Sequence, residues 1–177
     1  IFIHSLSNVL LRSVLYTISM LIYFGCLSFL PIAIVGAGMF TSPIFVLLIS
    51  YFFYKEEIGV RRISAVIIGS IGVWVILDPL SEQFSYFNFL PIIGGIFLAM
   101  GNVTTWRLCS KESPLTLTVF FFSIIGFFGL LGIISFSFLN VSPKDFNVPP
   151  FFIGGWSNGS IVLWILIFIQ SIGSMIG

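Results

Sequence analysis

Charge is what this chain of 177 residues has least of. It carries seven Lys and Arg, six Asp and Glu and a single His, so charged residues make up only 7% of it. Soluble domains average about 25% charged residues, and so few ionic side chains would leave a water-facing surface of this size uncovered. A net charge of +1 also supplies no basic block, which argues against a nucleic-acid partner. His4 stands alone, with no Cys or second His at ligand spacing, so no metal site and no cofactor are expected. Only two cysteines are present, Cys26 and Cys109. Cys26 falls well inside an apolar run and Cys109 at the end of another, so both read as packing residues rather than a disulfide.

In place of charge the chain has hydrocarbon. Hydrophobic residues reach 58%, Phe alone occurs 22 times, and mean hydropathy is +1.18. The segment from Leu30 to Pro79 is the most telling. An apolar run with Pro43 near its middle ends in the cluster Lys55-Glu56-Glu57-Ile58-Gly59-Val60-Arg61-Arg62, and a glycine-bearing apolar run follows at once. Two bilayer-length helices joined by a short basic turn produce that pattern. Segments near 10–30, 32–54, 60–78, 86–107, 114–139 and 159–177 meet the usual length of about 17–25 residues. The expected fold is therefore an all-α membrane protein with about six transmembrane helices. Connections are short except 140–158, whose Pro143, Pro149, Pro150, Gly154 and Gly155 mark a surface loop.

Numbering the water-facing ends alternately collects Arg12, Lys55, Arg61, Arg62, Arg107 and Lys111 on one side and Lys144 on the other. This imbalance orients the 55–62 and 107–113 turns toward the cytoplasm and the 79–85 and 140–158 connections outward. Tyr54, Tyr86, Trp106 and Trp156 sit at span boundaries, as interfacial anchors do, although lipid-facing packing accounts for a single aromatic equally well. No span interior carries Asp, Glu, Lys or Arg, which argues against carboxylate-driven proton exchange within these residues. Starting at Ile1 rather than methionine and stopping at Gly177 inside an apolar run, the chain reads as part of a longer protein. Residues 1–12 lack the pattern of a signal peptide.

Each of the remaining features has a bland and a sharp reading. Pro43 removes a backbone donor and should bend its span, either as a cavity-lining hinge or as a fixed kink filled by packing. Gly69 and Gly72, Gly94 and Gly95, and Gly126, Gly129 and Gly132 should let helix backbones approach closely. Tyr16, Ser19, Tyr23 and Cys26 follow spacings of three and four and share one helix face. That polar-aromatic stripe should face the bundle interior or a cavity rather than lipid. The amides of Asn102 and Gln170 also need partners, supplied by interhelical hydrogen bonds or by a substrate. Glu56, Arg61 and Arg62 form either a cytoplasmic ion-paired gate or a solvated, topology-fixing turn. The substrate-cavity candidates are thus Tyr16, Ser19, Tyr23, Cys26, Pro43, Asn102 and Gln170.

The run Pro31 to Pro79 resembles the second half of an EamA domain, from the ten-helix branch of the drug/metabolite transporter superfamily. The matching positions are Pro43, Glu56, Arg61, Arg62, Gly69 and Gly72; Lys55 departs from the pattern, standing where the family more often has a small residue. The stretch 86–113, closing in GNVTTWRLCSKESP, resembles the opening helix of a second repeat. The resemblance implies that residues 1–80 hold parental helices three to five and 86–177 parental helices six to eight of a two-repeat bundle. It further implies a secondary transporter of a small organic metabolite (amino-acid, nucleotide-derived or vitamin-like) in a bacterial cytoplasmic membrane, with the substrate between the repeats. The subgroup it resembles most is the S-adenosylmethionine uptake carriers, and a riboflavin or amino-acid carrier would look similar. The alternatives are a membrane-embedded enzyme or a structural membrane subunit. Enzymatic chemistry would need an acid, base or nucleophile at the membrane face, and the six acids lie in loops or at boundaries without converging on His4, so no catalytic residues are assigned.

Overall fold

The computed structural model describes residues 5–77 and 85–138, together with positions 161, 164–166 and 168–170. His4, most of the 79–85 connection, the 140–158 loop with Lys144, and much of the sixth span lie outside the described residues. The described residues are helical throughout apart from turns, with no strand among them. The chain divides into two compact units, residues 1–141 and 142–177. In the second unit the described positions, including Gln170, are helical and exposed.

In the first unit α1 spans Leu6–Leu27, α2 Ile32–Met39, α3 Ser42–Tyr54 and α4 Val60–Leu77. A short 3₁₀ turn, Tyr86–Phe89, leads into α5 at Leu90–Leu108, and α6 covers Pro114–Phe138. Proline sets most of these boundaries. Pro31 precedes α2, while Pro43, Pro91 and Pro114 each fall in the first turn of a helix, where a missing N–H costs nothing. Among the described residues five spans are long and apolar enough to cross a membrane, with α2 and α3 together forming one of them. The chain is a multi-pass integral membrane protein.

Two expectations change here. The span 32–54 is not one helix bent at Pro43 but two helices, interrupted at Phe40 and Thr41. Pro43 starts the second helix instead of kinking a continuous one. Thr41 eases the break: its N–H and hydroxyl both donate to the Gly38 carbonyl, at 3.2 and 2.5 Å. Second, α1 begins before residue 10, which puts Arg12 in the second turn of a spanning helix rather than at its flank. The first unit therefore does hold a cation within a span.

The helix at the centre is α5, which packs against α1, α2 and α3. It presents Gly94, Gly95, Ala99, Gly101, Val103 and Thr104 as buried positions, a surface of small side chains that lets its neighbours come close. A Cβ on Gly95 would lie 2.7 Å from Thr41 Oγ1 and 2.8 Å from the Gly38 carbonyl oxygen. The interrupted span thus rests directly on the α5 backbone. A Cβ on Gly101 would lie 2.9 Å from the Tyr16 ring. The expected close approach holds for Gly94 and Gly95 but not for Gly69, Gly72, Gly126, Gly129 or Gly132, which have open space around their Cα atoms among the described residues. The periodic glycines of α4 and α6 are on outward faces, which a spacing pattern alone does not distinguish from inward ones.

Candidate functional site

Within the first unit, α3, α4 and α5 border an open cavity of about 620 Å³. Ser42, Pro43, Val46, Leu47 and Ser50 line it from α3, Arg62, Ala65 and Val66 from α4, and Asn102, Val103, Thr105, Trp106 and Arg107 from α5. An apolar wall with a few placed polar groups is the usual composition of a small-molecule site. The arrangement follows from sequence. The break before Ser42 starts α3 with a small buried residue, and the turn at 55–59 leads back into α4.

That turn is built from an unusual backbone. Lys55 takes φ 50° and ψ 35°, the left-handed conformation that favours glycine at a helix end. Its N–H donates to the Tyr51 carbonyl at 3.1 Å, and the Glu56 N–H reaches the Ser50 carbonyl at 3.3 Å. Glu56 then pairs with Arg107 of α5, and the Arg107 guanidinium lies 4.6 Å above the Tyr54 ring. The pairing settles which acid of the adjacent Glu56 and Glu57 faces the bundle, and it brings the 55–59 turn and the end of α5 together. Arg61 and Arg62 are both exposed, and Arg62 also lines the cavity.

A second arginine supports the cavity from behind. Arg12 Nε donates to Thr105 Oγ1 at 2.8 Å and Nη1 to the Leu117 carbonyl at 3.0 Å, with the guanidinium 4.6 Å above the Tyr16 ring. Tyr16 in turn donates its hydroxyl to Asn102 Oδ1 at 2.5 Å. Thr105 and Asn102 both line the cavity, so one half-buried cation fixes two of its polar groups. Satisfied donors offset much of the cost of a charge at this depth. Nearby, Glu112 is buried and accepts from the Ser5 N–H at 2.8 Å, closing the start of α1. Burial pushes the Cys109 thiol above its ordinary range; Arg12 pulls it down and Glu112 pushes it further up. Cys109 packs with Val9 and Leu117, and Cys26 is likewise a free, buried thiol.

Among the sequence candidates, Pro43 and Asn102 reach the cavity wall and Tyr16 acts on it through Asn102. Ser19 does not: its hydroxyl donates to the Gly94 carbonyl at 2.9 Å, fully buried in the α1–α5 contact. Cys26 is also fully buried, and Tyr23 is half-buried, edge-on to Phe24. The stripe is therefore largely a helix–helix seam. Arg12, Thr105, Trp106 and Arg107 were not singled out as cavity residues; a tryptophan and arginine at a span end look the same whether they anchor in lipid or line a pocket.

Spanning helices around a mostly apolar, open cavity define an α-helical membrane protein. Residues 3–78 match the EamA-like transporter family. The chain is 32% identical over 123 residues to a riboflavin transporter of Vibrio cholerae, an alignment covering 69% of this chain and 41% of that protein. It is 27% identical over 154 residues to an S-adenosylmethionine uptake transporter of Rickettsia felis, covering 84% of this chain and 51% of that protein. The chain spans about half or less of the length of these curated relatives. No solved structure matches it. The bacterial sources of the relatives and the five spans assign the chain to a bacterial inner membrane.

Proposed function

We propose that the chain forms part of a secondary transporter that carries a small organic metabolite, and that the α3–α4–α5 cavity is where the cargo sits. The observation that supports this reading is the cavity itself: about 620 Å³ between spanning helices, with an apolar wall carrying Asn102, Thr105 and Arg62. Drug-sized and metabolite ligands occupy pockets of about 300–1,000 Å³. Relatives named for riboflavin and S-adenosylmethionine supply the first cargoes to try. Such a carrier performs no covalent chemistry, so the site binds and releases rather than reacts. The family match at 3–78 and the start of α5 are consistent with residues 1–80 and 86–177 being portions of two EamA-like repeats. Substrate would then meet both repeats in this cavity, as it does in many carriers.

Uptake by the full-length protein in proteoliposomes tests the reading. Labelled riboflavin or S-adenosylmethionine should accumulate saturably, and the variant Asn102→Leu should raise the half-saturating concentration. With Cys26 and Cys109 replaced by serine, a cysteine at Ser50 should react with a water-soluble thiol reagent and be protected by cargo, while one at Ser19 should stay unlabelled. A panel of metabolites that yields no saturable uptake would remove the carrier assignment.

A further inference from the structure

Arginines from three helices converge on the cavity. Arg62 of α4 and Arg107 of α5 line it, and Arg12 of α1 stands directly behind Thr105. Against them the structure sets two acids outside the lining: Glu56 at the cavity end, engaged by Arg107, and buried Glu112, which shares the surroundings of Cys109 with Arg12. Among the described residues no acid lines the cavity, and none forms an ion pair with Arg62. In a low-dielectric setting that imbalance gives the cavity a positive potential.

Aromatic rings are the other way a site accepts a positive ligand, and here they are already taken. The Arg12 guanidinium lies 4.6 Å above Tyr16, and that of Arg107 lies 4.6 Å above Tyr54 and 6.0 Å from the Trp106 ring centre. Each ring near the cavity already faces a guanidinium of the protein. A ligand cation stacked on Trp106 would meet the like charge of Arg107, 6.0 Å from that ring centre. Trp106 nevertheless lines the cavity and is 76% exposed, so surface remains for stacking an uncharged ring. Asn102 and Thr105 offer hydrogen bonds at its edge.

We infer that this cavity takes an uncharged or anionic ring-bearing metabolite and turns away fixed cations, an inference that rests on the carrier reading above. The two cargoes named for the relatives separate cleanly on this criterion. Riboflavin is an uncharged ring compound, whereas S-adenosylmethionine carries a sulfonium cation.

The experiment is competition for uptake by the full-length protein in proteoliposomes, with riboflavin as labelled cargo. Flavin mononucleotide, a phosphate-bearing anion, and S-adenosylmethionine are the competitors. Riboflavin should enter saturably, and flavin mononucleotide should compete at least tenfold better than S-adenosylmethionine. Raising the salt concentration should shrink that ratio by screening, a readout that needs no variant. Arg62→Gln should lower the ratio about fivefold, and Arg62→Glu should lower it further, as expected for loss and then reversal of a charge at the wall. Saturable S-adenosylmethionine uptake that neither flavin slows overturns the charge inference and leaves the carrier reading standing. A ratio near one that salt does not move overturns it as well. Failure of every metabolite in a wider panel is the separate failure of the carrier reading, and the inference falls with it.

Discussion

The α1–α5 seam and the α4 helix show two ways of using the same apolar composition. At the seam the fit is atomic: Ser19 bonds the Gly94 carbonyl, Gly101 abuts the Tyr16 ring, and Arg12 reaches across to Thr105. Along α4 only Val73 and Leu77 are buried, packed with Ala37 against Ile34 and Ile92, while Ile67, Ile68, Ile71, Trp74 and Val75 are exposed. Helices in lipid gain little from hiding apolar surface, so close van der Waals fit and hydrogen bonds decide what is held. By that measure α1 and α5 are fastened together and α4 is lightly attached. The cavity lies where the fastened part meets the lightly attached one.

The largest contrast should come from paired glycine variants. Gly95→Leu drives a side chain into Thr41 and the Gly38 carbonyl and should cost about 3 kcal/mol or abolish folding. Gly72→Leu meets open space and should leave thermal stability in detergent nearly unchanged. Equal losses from both would mean that α4 is as tightly packed as the seam. Next in size is Arg12→Met, which keeps the stem but strips two hydrogen bonds and the ring contact. Bonds to charged groups contribute about 1.5–3 kcal/mol, so a loss near 2 kcal/mol is expected in detergent unfolding, together with weaker cargo binding through Asn102 and Thr105. A variant as stable and as active as the parent would reduce the seam to packing alone.

Smaller effects belong to the turn joining α3 to α4. Lys55→Gly relieves a left-handed residue and should stabilise by up to about 1 kcal/mol, read as a higher melting temperature. Smaller still is Glu56→Gln. Its pair with Arg107 is partly exposed, and exposed pairs contribute about 0–1 kcal/mol. A stability change of several tenths of a kcal/mol, shrinking at high salt, is the expected result. A loss several times larger would make this ion pair a fastening on the scale of the seam.

Much of the fold is written in the sequence because a bilayer simplifies its grammar. Span lengths and the basic turns follow from hydropathy, and the Glu56–Arg107 pair brings together two turns that the charge count assigns to one side. The site was legible only in part. Asn102 and Pro43 stand out as an amide and a proline within apolar runs, yet which glycines touch a neighbour depends on helix rotation, which sequence spacing leaves open. The polar stripe of α1 illustrates the same limit: a hydroxyl that must avoid lipid is satisfied as well by a carbonyl on α5 as by water. Lys55 is the converse case. Its departure from the small residue of the EamA pattern corresponds to a positive φ, so a single unexpected letter reports backbone geometry.

The interruption at Phe40 and Thr41 also bears on how such sequences diverge. Before it, α2 buries Val35, Ala37 and Gly38 against neighbours; after it, α3 buries only Ser42 and gives its face to the cavity. The two halves of one span thus meet different packing constraints. Substitutions in the first half must fit the α5 backbone and should be confined to small residues, whereas the second half is free to change letters as cargo changes. Relatives that differ in what they carry should differ along Pro43–Ser50 far more than along Val35–Gly38, and a lineage can acquire a new cargo there without rebuilding its scaffold.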